Sequence, residues 1–66
     1  MEVGKYYRVI FEDEDTSVLH VLAHVNSHQH GECFIGENRV SDLFYLENDI
    51  EHYEVSKEKF ETYKGV

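Results

Sequence analysis

Residues 18–25, Val-Leu-His-Val-Leu-Ala-His-Val, decide the fold. As a strand, they place Leu19, Val21, Ala23 and Val25 on an apolar face and Val18, His20, Leu22 and His24 on a mixed one. The rival is a helix over 17–29 with Ser17 as N-cap, which would stack His20, His24 and His28 at four-residue spacing. Three valines in these eight residues, and a neighbouring stretch able to pair with them, favour the strand. That neighbour is 5–11, Lys-Tyr-Tyr-Arg-Val-Ile-Phe, with Tyr7, Val9 and Phe11 on one face and Tyr6, Arg8 and Ile10 on the other. The intervening Glu-Asp-Glu-Asp-Thr-Ser, 12–17, has no apolar member and reads as a loop.

Working outward, 26–30 (Asn-Ser-His-Gln-His) reads as a polar turn, and 32–35 as a short strand between Gly31 and Gly36. Glu37-Asn38 suits a tight turn, since Asn tolerates positive φ. Residues 39–46 follow as a strand, with Val40, Phe44 and Leu46 opposite Leu43 and Tyr45 and with Asp42 interrupting the first face; a short helix begun by Ser41 is the alternative. After a turn at 47–49, residues 50–55 alternate Tyr53 and Val55 against Ile50 and His52. Ser56 then caps a helix to about Lys64, with Phe60 and Tyr63 docking on the sheet.

The expected fold is a small β-rich α+β domain spanning 1–66. It has about five short antiparallel strands, in a curled sheet or Src-homology-3-like barrel, and a short C-terminal helix. Tyr6, Ile10, Val18 and Leu22 leave the second face of the first two strands apolar, so a homodimer that buries this face is expected.

A 66-residue chain, 41% apolar, has room for one small core but not for a core and a deep substrate pocket. The single cysteine excludes an intramolecular disulfide framework and a multi-cysteine zinc site. No apolar run suits a secretory signal or reaches the roughly 20 residues of a membrane helix, so a cytosolic protein is expected. His20, His24, His28, His30 and Cys33 invite a metal reading. On a strand, however, His20 and His24 are about 13 Å apart, too far to share an ion. Rim histidines and no metal are expected. Cys33, between Glu32 and Phe34, reads as a small buried residue, and Ser17, Ser27, Ser41 and Ser56 as turn or cap residues. No nucleophile elbow, calcium loop or phosphate-binding glycine loop is present, so neither an enzyme nor a cofactor is expected.

Charge is the informative feature. Fourteen acids against six bases give −8. Residues 9–56 alone carry eleven acids and one base, Arg39, a net −10. The candidate partner-binding acids are Glu12, Asp13, Glu14, Asp15, Glu37, Asp42, Glu47, Asp49, Glu51 and Glu54. Such a single-sign field opposes folding through self-repulsion and disfavours direct contact with nucleic acid or an anionic membrane. Carboxylates two apart on a strand lie about 6.7 Å apart. A duplex presents a charge about every 3.4 Å of axis per strand, so rows of fixed carboxylates can imitate a phosphate ladder. Tyr45, Tyr53 and Tyr63 are candidates for specific contacts beside them.

With the EDED run at 12–15, the −10 segment, abundant Tyr and Phe and no proline, the chain resembles small acidic phage-encoded DNA-mimic proteins, nearest among them the Bacillus phage inhibitors of the nucleoid protein HU. The resemblance is one of composition over the whole chain, without a shared motif. It implies a basic host DNA-binding protein such as HU as partner, in the bacterial cytosol, with DNA occluded from its site. The alternative is a generic small β-barrel interaction or structural module of phage or mobile-element origin whose acidity serves solubility.

Overall fold

A computed structural model of the chain describes residues 1–29 and 31–65. The decisive stretch is extended. It lies within a twelve-residue strand, β2 (Thr16–Ser27), between β1 (Tyr6–Ile10) and β3 (Gly31–Glu37); β4 (Leu43–Glu47), β5 (Glu51–Val55) and helix α1 (Lys57–Thr62) follow. The strands form one antiparallel sheet in the order β4-β3-β2-β1-β5. β4 and β5 are its two edges, and no ladder joins them, so the sheet curls without closing into a barrel.

β2 can serve both halves of the sheet because its register against β3 shifts between Val21 and Ala23. One surplus residue, Leu22, bends the strand and reverses the faces beyond it. Leu19 and Val21 are fully buried, and Val21 lies opposite Gly36. Past the bulge, Ala23 lies opposite Ile35 and Val25 opposite Cys33, on the other side of the sheet. The expected single apolar face, Leu19 to Val25, is therefore split in two, because strict alternation assumes no surplus residue.

The concave side holds Tyr7, Val9, Leu19, Val21, Phe34 and Leu46, with Met1, Phe11, Phe44 and Ile50 packed against them. Tyr7 reaches the rim, where its hydroxyl accepts a hydrogen bond from Glu2 N at 2.8 Å. Gly36 lets β3 approach the bend: a Cβ there would sit 3.1 Å from both Leu19 Cβ and Leu46 Cδ1.

Two hairpin loops share one design. Glu14 N donates to Phe11 O and Phe11 N to Asp15 O, with Glu14 at φ 68°. Ser41 N donates to Asn38 O and Asn38 N to Asp42 O, with Ser41 at φ 67°. Each is a turn closed by one left-handed residue, which fits the twist of the flanking strands. The second loop corrects the strand expected over 39–46. Residues 39–42 belong to the turn, held by the buried Asn38, whose Oδ1 accepts from Val40 N and Asp42 N. Val40 is exposed there, while Phe44 and Leu46 face the core as expected. The first loop is also shorter than expected, since Thr16 and Ser17 already belong to β2.

Ser56 caps α1, accepting from Lys59 N at 3.1 Å, but the helix ends at Thr62, short of Lys64. Phe60 packs on Tyr6, with ring centroids 4.9 Å apart, and beside His20 on the convex side. The chain beyond α1 is tied down by Arg39, which donates to the carbonyls of Glu61, Tyr63 and Gly65.

Gly36→Ala should destabilise the fold by about 1–3 kcal/mol, because the new methyl has only Leu19 and Leu46 to displace. Urea unfolding measures this; an unchanged midpoint would show that the bend has slack.

Candidate functional site

Registry decides which acids meet. Ile10 lies opposite Thr16 on one side and Glu51 on the other. The loop after Ile10, the start of β5 and the preceding Asp49 therefore share one end of the sheet. Glu12, Asp13, Glu14, Asp15, Asp49 and Glu51 gather there, all exposed. Glu47, also exposed, closes β4 just before the connection that crosses to this end.

Apolar residues anchor both acidic segments. Phe11 begins the first loop and packs on Phe44, with centroids 5.7 Å apart. Ile50, between Asp49 and Glu51, packs against the core, and its carbonyl lies 2.6 Å from His52 Nδ1. Asp13 folds its carboxylate back to accept from Asp15 N at 3.2 Å. Glu51 accepts from the Tyr53 hydroxyl at 2.6 Å, and Arg8 lies over the Tyr53 ring at 5.2 Å. This hydrogen bond, and then the charge of Glu51, raise the Tyr53 phenol above its ordinary value.

The other candidate acids stand apart. Glu37 and Asp42 flank the 38–42 turn, Glu37 half-buried and Asp42 accepting from Asn38 Nδ2 at 3.4 Å. Glu54 faces Lys5 at 3.6 Å, and among the described residues it alone of the ten candidates enters an ion pair. Hydrogen bonding to Glu2, then the charges of Glu2 and Glu54, raise the Lys5 ammonium above its ordinary value. The structure thus divides the expected surface into one acidic end and two minor sites. Among the described residues Arg39 forms no ion pair with these acids; it donates instead to the C-terminal carbonyls.

The histidines are dispersed. His20 stacks on Tyr6 at 4.5 Å on the convex side. His24, past the bulge, stacks on Phe34 at 4.5 Å and lies 3.9 Å from Glu32. His28 is exposed, and His30 lies outside the described residues. Among the described residues no three His, Cys, Asp or Glu side chains come together as metal ligands. Cys33 is buried and forms no disulfide. A shallow hollow beside α1 is lined by residues of both charge signs, among them Arg39, Lys57, Glu37 and Glu61, and offers no single-sign ligand site. Of the candidate tyrosines, Tyr45 and Tyr53 are exposed and Tyr63 is half-buried.

No described helix is long and apolar enough to cross a membrane. Set against known protein families, curated proteins and solved structures, the chain matches none.

Glu14 combines a like-charged neighbourhood with a left-handed backbone that costs an ordinary L-residue roughly 1–2 kcal/mol. Glu14→Asn should therefore stabilise the fold by about 1 kcal/mol, more than Glu12→Asn, which relieves only repulsion. Thermal unfolding of the pair distinguishes the two effects; equal shifts would mean that the backbone at Glu14 is unstrained.

Proposed function

We propose that this protein is a DNA-mimic inhibitor: its acidic end docks on the DNA-binding surface of a basic protein and keeps DNA out. The observation that carries the reading is the gathering of Glu12, Asp13, Glu14, Asp15, Asp49 and Glu51 at one end of the sheet, with none of them in an ion pair among the described residues.

Carboxylates without a cationic partner, on anchored loops, suit this task. A DNA-binding surface is an array of Lys and Arg built to exchange counterions for phosphates. Carboxylates held by Phe11 and Ile50 can enter that array with little ordering cost, since the loops bearing them are already folded against the core. The fixed field also speeds encounter with a cationic partner. The left-handed Glu14 supports the reading, because Gly or Asn would hold the turn more cheaply but without the carboxylate.

A second reading, a module engaged through apolar contacts, has one observation in its favour: Leu43 is 62% and Tyr45 74% exposed on β4. Charge reversal separates the two. The tethered protein in bacterial lysate should retain a basic DNA-binding protein that leaves as salt is raised. A variant with Asp13, Glu14, Asp49 and Glu51 all changed to Lys should retain none of it. A partner that stays through high salt, or that binds the charge-reversed variant equally well, would overturn the mimic reading.

A further inference from the structure

β4 is an unguarded edge. It pairs with β3 on one side, and no other described element packs along it at length. In an antiparallel ladder every second residue turns its N–H and C=O away from the partner strand, so one side of Leu43–Glu47 offers main-chain donors and acceptors to an incoming strand. The devices that usually block such an edge are a lysine, a proline, a bulge or an inward charge. β4, Leu-Phe-Tyr-Leu-Glu, has none of them, and its one charge, Glu47, is its last residue. The opposite edge, β5, also lacks lysine, proline and bulge, but carries two charges in its five residues, Glu51 and Glu54, the second facing Lys5. The two edges are treated differently.

Side chains add to the offer. Leu43 and Tyr45 point to one face and are largely exposed, while Phe44 and Leu46 anchor the strand in the core. Beside Tyr45 the same face continues through Ile35, Val25 and the buried Cys33 into a groove that ends at Glu47. Carboxylates bracket the strand, with Asp42 just before it and Glu47 at its end, and no base stands on it or on β3.

From this we infer that β4 takes up an extended segment of a partner as a sixth strand: apolar residues beside Leu43 and Tyr45, and basic residues opposite Asp42 and Glu47. A second copy of this chain fits poorly, since it would bring another net −8 to the edge and no base on its own β4. The inference rests on the mimic reading only for the sign of the partner's charge; the edge itself is independent of it.

The test uses a short peptide of alternating valine and threonine with lysines at both ends, titrated into the isotope-labelled protein and followed by amide shifts and hydrogen exchange. The shifts should centre on 42–47, and alternate β4 amides should exchange at least about tenfold more slowly at saturation. A central proline, glutamates in place of the lysines, or Tyr45→Lys at its exposed site should each abolish the effect. Three results would overturn the inference. The glutamate peptide could bind equally well, so that charge plays no part. The proline-containing peptide could bind as well as the parent with shifts at 12–15 and 49–51, which would leave the mimic reading intact and remove the strand. Finally, β4 amides could be protected without peptide in a protein that sediments as a dimer, so that a second copy holds the edge.

Discussion

Everything in this molecule hangs on the contact at which β2 bends. Leu22 is one residue more than the ladder needs, and the kink it forces lets a single strand carry β1 and β5 on its first half and β3 and β4 on its second. The bend is held from inside by Leu19, Val21 and Leu46, all fully buried, against a glycine where a methyl would press on Leu19 and Leu46 at about 3.1 Å. In a domain so small this one cluster is a large share of the core. Without the kink, Ala23 and Val25 would fall on the face of Leu19 and Val21.

The same curl positions the charge. It brings the start of β5 beside the end of β1, so that acids far apart in the chain, at 12–15 and 49–51, meet at one end. Repulsion between them works against the fold, and two features raise that tension further. Glu14 occupies a backbone region that disfavours it, and Arg39, the one base in the acidic segment, reaches instead for the carbonyls of Glu61, Tyr63 and Gly65. Natural sequences tolerate such local conflicts most often where function requires them. Phe11 and Ile50 make the arrangement stable enough to exist, since each fixes an acidic loop to the core by one apolar side chain.

Much of the fold was legible in the chain because it rests on local signals. Alternation marked β1 and β5, valines marked β2, Gly31 and Gly36 bracketed most of β3, and Ser56 marked the start of α1. What was illegible depends on partners distant in sequence. Nothing near Leu22 announces a bulge, because the bulge arises from how Gly36 and Ile35 meet β2. Val40 looks like a strand residue, yet the hydrogen bonds of Asn38 fold 39–42 into a turn. The acidic surface was legible as composition but not as a site. Only the register of β1 with β2 and β5 separates the six gathered acids from Glu37, Asp42 and Glu54. The role of Arg39 could not be read at all, since its acceptors are backbone carbonyls more than twenty residues away.

The most direct test of the account is whether this protein takes the place of DNA. A fluorescently labelled duplex is bound in turn to each of a panel of bacterial DNA-binding proteins, and its anisotropy is followed as the acidic protein is added at low and at moderate salt. The account predicts that at least one member of the panel releases its duplex at near-stoichiometric addition, less readily as salt rises. Duplex that stays bound on every member of the panel, at concentrations where the acidic protein is in large excess, would contradict it.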